Sequence, residues 1–404
     1  LTLRNRRFAW LLALLAAFSL IAAACGDDDD DAADDEADTT EETEATDDTE
    51  ATDDTEATDD TDEGGDEEAG GDEEMMEVSG TLIGAGASSQ AAAMQGWQAG
   101  FQEMNPDVTV EYDPIGSGGG RDQFISGGSD FAGSDSLLDD EEFAQSVERC
   151  EGDQGAIHLP HYISPVAVAF NLEGIDTLNL TSETIASIFA DEITNWNDPA
   201  IAETNPDVEL PDLTINAVHR SDESGTTENF TDWMGTVAPD IWTFGEVGVW
   251  PIEAGEGAQG TSGVVQAITA GNGSIGYADA SQIGDLGVVA VGVGEEFVPY
   301  SPEAAAALVD VSERIEGRSE FDLGFSLARD TQEPGVYPIA LVSYHIVCLE
   351  YADQDVADLV VAFMEYVSSE QGQQDAAEAA GSAPISDETR SLIEESIAQI
   401  TATG

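Results

Sequence analysis

From residue 78 onward the chain alternates short apolar runs with longer stretches in which apolar residues recur every three or four positions. A short continuous or alternating apolar run fits a strand, and the longer period fits a helix packed on one face. The apolar runs predict strands over 81–83, 108–112, 131–134, 166–171, 213–218, 275–278 and 339–347. The helical period predicts helices over about 90–104, 121–125, 141–150, 182–189, 226–234 and 353–368. Strand, loop and helix in this repeating order predict an α/β fold with largely parallel sheets. Ligands in such sheets bind where strands end and helices begin.

Upstream of residue 78 the pattern changes in kind. Arg4, Arg6 and Arg7 precede an apolar stretch from Phe8 to Ala24, the layout of a secretory signal over 1–24. Ala22-Ala23-Ala24-Cys25-Gly26 resembles a bacterial lipoprotein box, which implies that Cys25 becomes the lipid-bearing N-terminus; the other reading is a plain secretory signal. Residues 25–77 carry no basic and no aromatic side chain, and they repeat Thr-Glu-Ala-Thr-Asp-Asp from Thr43 to Asp60. So little apolar surface cannot offset the entropy of ordering, and the segment reads as a disordered acidic tether. No later stretch is long and apolar enough to span a bilayer. Residues 78–404 are too many for one simple core and fit two lobes.

Charge narrows the partners. The chain has 10 basic and 85 acidic residues, for a formal net charge of −75, and every basic residue is an Arg. That surface excludes nucleic acid as a partner. It also repels anions at long range, so an anion site must work through local donors. With Cys25 assigned to lipid, Cys150 and Cys348 form either a disulfide, the commoner outcome in an exported chain, or two buried thiols. His158, His161, His219 and His345 stand in no triad context, and Pro160 breaks the helical spacing that a metal-binding pair would use. No stretch matches the nucleophile elbow of esterases. These absences predict no enzyme activity, no metal and no cofactor.

Four predicted strand ends share one chemistry: Ala87-Ser88-Ser89, Gly116-Ser117-Gly118, Gly133-Ser134-Asp135 and Asp222-Glu223-Ser224-Gly225-Thr226-Thr227. Helix N-termini present unpaired N–H groups and partial positive charge, hydroxyls add donors, and Gly lets an anion approach the backbone. Any one of these loops could be an ordinary cap. The fourth adds Arg220, whose guanidinium can engage an oxyanion with paired hydrogen bonds, and Asp222, which can hold its plane.

These residues carry a family resemblance. Gly84-Ala85-Gly86-Ala87-Ser88, Gly116-Ser117-Gly118-Gly119, Asp130-Phe131-Ala132-Gly133-Ser134-Asp135 and Arg220-Ser221-Asp222-Glu223-Ser224-Gly225-Thr226-Thr227 resemble the signature loops of the periplasmic phosphate-binding proteins. So do Ile193-Thr194-Asn195-Trp196-Asn197-Asp198-Pro199-Ala200-Ile201, Trp250-Pro251 and Gly273-Ser274-Ile275-Gly276-Tyr277. The resemblance implies the two-lobed type II periplasmic-binding-protein fold with two interlobe crossovers. Lobe 1 would be 78–164 plus 338–404, and lobe 2 would be 165–337. It implies a receptor that captures inorganic phosphate between the lobes and delivers it to ABC permease subunits. Such a receptor would be a monomer, lipid-anchored on the outer face of the bacterial cytoplasmic membrane. By motif, Ser88, Ser89, Ser117 and Asp135 would bind phosphate from lobe 1, and Arg220, Ser224, Gly225 and Thr226 from lobe 2, with Asp222 steadying Arg220. The family's usual Thr-Phe-Pro is Ser88-Ser89-Gln90 in this chain, which keeps the hydroxyl and loses the aromatic. Asp135 itself favours phosphate: hydrogen phosphate can donate its proton to a carboxylate, whereas sulfate cannot. A receptor for another oxyanion and a surface phosphatase are the competing readings.

Overall fold

A computed structural model describes residues 78–315 and 318–403, all within the unit Gly71–Gly404. The signal, Cys25 and the acidic tether lie outside the described residues. The chain begins β1 (Gly80–Gly86), α1 (Ala91–Met104), β2 (Val108–Asp113), α2 (Ser117–Ile125), β3 (Phe131–Ser134), α3 (Asp140–Arg149) and β4 (Ala156–Phe170). It continues through β5 (Thr177–Leu180), α4 (Ser182–Phe189), α5 (Pro199–Thr204), β6 (Asn216–Arg220), α6 (Gly225–Val237), β7 (Glu256–Ala258), α7 (Gly260–Ala270) and β8 (Ser274–Asp279). There follow β9 (Gly287–Val293), β10 (Glu296–Val298), α8 (Pro302–Asp310), the short β11 (Glu313–Arg314) and β12 (Phe325–Ser326), and β13 (Ala340–Cys348). The chain closes with β14 (Glu350–Tyr351), α9 (Gln354–Ser368), α10 (Glu370–Ala380), α11 (Asp387–Ile397) and β15 (Thr401–Ala402).

The α/β order matches the sequence pattern, but the sheet is mixed rather than largely parallel, because β4 and β13 pair antiparallel with their neighbours, and one long strand organises it. Along the sheet the order is β2-β1-β3-β13-β4-β8-β6-β7, with β9 joining β4 and carrying β5 and β10. Ala156–Pro165 of β4 pair antiparallel with β13, and Val166–Phe170 pair antiparallel with β8. The chain therefore passes from one half of the sheet to the other at Pro165/Val166. It returns beside the same point, where the Val166 N–H donates to the Ile339 carbonyl at 2.7 Å. Every residue of β4 and β13 is buried, as strands at the middle of a covered sheet must be.

The strand expected from residue 166 thus starts ten residues earlier. Pro160 and Pro165 hid the first half, because proline cannot donate to a ladder and argues against a central strand. Both are accommodated here: Pro160 faces Tyr344 beside a shift in register between Ser343 and Tyr344, and Pro165 stands where β4 changes partner. The strand expected at 213–218 forms later, at β6, because Leu213 and Ile215 are taken up by backbone bonds to Trp196 and Thr194.

The helices cover the sheet by burying one stripe each. In α1, Ala93, Met94, Trp97 and Phe101 are buried, and in α9 the stripe is Leu359, Val360, Phe363, Met364 and Val367. A smaller core of Ala167, Ala169, Val218, Val264, Ile268, Ala278 and Ile283 seats α7 on the other half of the sheet. Cys150, at the end of α3, forms a disulfide with Cys348, at the end of β13, which selects between the two readings left open by the sequence.

Candidate functional site

The helix-starting ends of β1, β3 and β6 converge on one carboxylate. Asp135 follows β3 directly and is 4% exposed. Its Oδ1 accepts hydrogen bonds from the Ser89 hydroxyl at 2.6 Å and the Ser343 hydroxyl at 2.7 Å. Its Oδ2 accepts from the Thr226 hydroxyl at 2.9 Å. The Asp135 backbone N–H donates to Ser117 Oγ at 3.2 Å, and its carbonyl accepts from Asn229 Nδ2 at 2.8 Å. Ser89, Ser117 and Ser343 come from the half containing β1–β3 and β13, whereas Thr226 and Asn229 come from α6 of the other half.

Local sequence explains the convergence. Ser224 caps α6, its Oγ accepting the Thr227 N–H at 3.2 Å, and this fixes the first turn that carries Gly225 and Thr226. A Cβ on Gly225 would lie 2.7 Å from Ser117 Oγ and 2.8 Å from the Asp135 Cβ, so only glycine allows the two halves this close. Gly116, at φ +99°, opens α2, and a Cβ there would stand 2.6 Å from Asp222 Oδ2.

Arg220 ends β6 and is 2% exposed. Its Nε donates to Asp222 Oδ1 at 2.8 Å, and a second guanidinium nitrogen donates to Asp222 Oδ2. Asp222 Oδ1 also accepts the Gly260 N–H at 3.0 Å. Burial alone would raise the Asp222 carboxyl, but the hydrogen bond and charge of Arg220 outweigh it and hold Asp222 below the usual range. The plane of the guanidinium is thus fixed beside the start of α2.

Of the sequence-predicted residues, Ser89, Ser117, Asp135, Gly225 and Thr226 meet directly, and Arg220 with Asp222 lies against Gly116. Ser88 reaches the opposite half instead: its Oγ lies 3.1 Å from Thr261 Oγ1 and accepts the Thr261 N–H at 3.0 Å. Gln282 adds a second tie by donating to the Ser88 carbonyl at 2.9 Å. Ser224 serves its helix as a cap.

Other residues at the site escaped sequence reasoning. Ser343 and Asn229 carry no local motif. Arg121 could have been suspected, as a rare cation next to the glycine run. It is 3% exposed and donates to Glu142 at 2.8 Å, Ser136 at 2.7 Å and Glu223 at 3.3 Å, the last from the opposite half. Glu228, 3.8 Å from Arg121, is pushed up to about 7 because burial outweighs that cation. Beside Asp135 opens a cavity of about 450 Å³ whose wall includes Asp139, Glu228, Asp232, Glu246 and Arg329. Among the described residues, no cluster of three or more His, Cys, Asp or Glu side chains is arranged to hold a metal ion. No helix among them is long and apolar enough to cross a membrane.

Residues 43–371 match the model of the PBP superfamily domain. The chain is 36% identical over 322 residues to the phosphate-binding protein PstS 3 of Mycobacterium leprae, covering 78% of this chain and 85% of that protein. It is 33% identical over 293 residues to the phosphate-binding protein PstS 2 of Mycobacterium tuberculosis, covering 70% of this chain and 77% of that one. Its fold is similar to the crystal structure of the phosphate-binding protein from Stenotrophomonas maltophilia, with a TM-score of 0.61 at 20% identity over 78% of this chain and 94% of that one.

Proposed function

The chain belongs to the PBP superfamily and, within it, to the PstS phosphate-binding proteins, and on that footing we propose that it is the extracytoplasmic receptor of a phosphate ABC importer. It binds inorganic phosphate between two lobes, 78–164 plus 338–404 and 165–337, and presents the closed form to the permease. It acts without chemistry on the ligand, as a monomer tethered by a lipid on Cys25.

The observation that carries this reading is Asp135, a buried carboxylate among donors from both halves of the fold. A negatively charged carboxylate in an anion site repels every anion unless the anion brings a proton. Hydrogen phosphate does, and its O–H can donate to Asp135 while its other oxygens take donors. Ser117, Ser224, the Gly225 and Thr226 N–H groups and Arg220 would supply these, with Ser88 and Ser89 at the edge of the pocket. Because each lobe contributes part of the set, phosphate favours the closed arrangement over an open one. The contacts Ser88–Thr261, Asp135–Thr226 and Arg121–Glu223 already run between the halves and would have to break on opening.

Sulfate has no proton to give at neutral pH, and a carboxylate facing it with no proton between them costs on the order of 10³-fold in affinity. Asp135→Asn therefore weakens phosphate less than it narrows the gap between phosphate and sulfate. Isothermal calorimetry of residues 78–404 with both anions measures this. An unchanged selectivity ratio in the variant would remove Asp135 from the role assigned to it.

A further inference from the structure

We propose that Ser343 is a further specificity-setting residue of the phosphate site and that Gln90 is the residue that positions it. The inference rests on the phosphate reading above and assigns a task to two side chains outside its donor set.

Asp135 has limited room to accept. Each carboxylate oxygen offers about two acceptor positions. Oδ1 has both filled, by Ser89 and Ser343. Oδ2 has one filled, by Thr226. A single acceptor position is left, and it lies on the oxygen that faces α6. The hydroxyls thus reduce the ways in which a ligand proton can be received to one. Each hydroxyl is a donor aimed at the carboxylate, so the one position left receives a proton that the ligand itself carries, and an oxyanion without a proton has none to place there.

Ser343 has one proton, and Gln90 determines where it points. Gln90 Nε2 donates to Ser343 Oγ at 2.8 Å, so the serine hydroxyl is free to donate only toward Asp135. The reverse orientation of the amide would set an acceptor against Ser343 and draw its proton away. The serine and carboxylate oxygens would then face each other bare at 2.7 Å. Both side chains are almost fully buried, Gln90 at 0% and Ser343 at 1% exposure.

Two features of the backbone are arranged around this pair. The β13–β4 ladder shifts register between Ser343 and Tyr344, where β4 carries one extra residue, His161, opposite them. Gln90 occupies the cap position of α1 but makes no capping hydrogen bond, its amide being committed to β13. Gly133 leaves room for it, because a Cβ at that position would stand 2.6 Å from Gln90 Nε2.

The test measures phosphate and sulfate affinity at one pH near 8 for the unaltered chain, Ser343→Ala and Gln90→Met, with thermal melts to verify folding. One lost hydrogen bond to a charged group corresponds to a factor of about ten. Ser343→Ala should reduce the phosphate-to-sulfate ratio about ten-fold. Gln90→Met, which keeps the serine but frees its hydroxyl to turn, should reduce it by a smaller factor of about three. A loss of affinity shared equally by both anions, with the ratio intact in both variants, overturns the proposal and leaves a packing role only. Should Ser343→Ala not fold, the ratio in Gln90→Met decides alone. An unaltered chain that binds no phosphate overturns the functional reading itself, an outcome distinct from a phosphate-binding chain whose ratio survives both substitutions.

Discussion

His161 on β4 and His345 on β13 face each other with their Nδ1 atoms 2.9 Å apart, and no partner among the described residues reaches either Nε2. Trp97, Phe131 and Phe363 surround His345, with ring centroids 5.4, 5.4 and 6.4 Å from it. Burial pushes the His345 imidazole down to about 3, and burial together with the neighbouring His345 lowers His161 well below its ordinary value. In the unfolded chain each titrates near 6.5, so below that pH the unfolded state binds protons that the fold refuses. The pair's neutral burial therefore costs nothing above about pH 6.5, and by pH 5 it costs about 2 kcal/mol for His345, with His161 acting in the same direction. Glu228 and Asp279 act with the opposite sign, because burial raises them to about 7 and about 6 and their protonation favours the fold. A comparison with His345→Phe, which removes one ring's contribution and retains aromatic packing, isolates the effect. Melting temperature should drop less between pH 7 and 5 in that variant than in the unaltered chain, and parallel curves would refute the account. Sequence reasoning placed the four histidines in no triad or metal-binding context, and it named Ser89, Ser117 and Thr226, which meet at Asp135, because they sit in short local motifs. It could not find Ser343, which reaches Asp135 from 208 positions away with only a buried strand around it. Gln90 was visible only as a departure from the family pattern.

At the scale of elements, the start of α6 is where fold and site are least separable. Its cap, Ser224, and its first residues, Gly225 and Thr226, set the spacing between the halves as well as the donors. Gly225→Ala would drive a methyl group to within 2.8 Å of Asp135 and closer still to Ser117, contacts that real Cβ atoms do not make. The φ at this position suits alanine, so the helix itself should form as before, and alanine favours helices over glycine. The strain of about 1–3 kcal/mol for an inserted methyl group falls on lobe closure. Phosphate affinity should fall about 10- to 100-fold while the melting temperature of the unliganded protein holds or rises. A variant that binds normally would mean that the halves meet differently when the ligand is present. The elements most easily read from the sequence were those with a clear period and a sharp boundary, such as α9 and β3. The first half of β4 was hidden by its two prolines, and α7, α8 and α10 by stripes of Ala, Gly and Gln that give little hydrophobic contrast. Tertiary packing, not local preference, decides such segments.

At the scale of the molecule, a chain with net charge −75 is assigned the capture of an anion. The tension is local as well as global, since Asp139, Glu228, Asp232 and Glu246 line the cavity that opens beside Asp135. The cations nearest the site are already engaged: Arg121 by Glu142 and Glu223, Arg220 by Asp222, and Arg329 by Asp232 at 2.9 Å. Long-range field and short-range chemistry therefore work against each other, with the field slowing encounter and the donors holding the ion once it is seated. Screening reaches only the first of these. The Debye length shrinks from about 20 Å or more in dilute buffer to a few ångströms near molar salt, whereas buried hydrogen bonds are screened little. The association rate of phosphate should consequently rise several-fold as sodium chloride is raised from about 0.02 to about 0.5 M. This is the reverse of the fall seen where charge steers a ligand inward, and the dissociation rate should change much less. Stopped-flow measurement on residues 78–404 separates the two rates. An association rate that falls with salt would show that the mouth of the site is locally positive despite the surrounding carboxylates, and that Arg220 or Arg121 projects beyond its partners during capture.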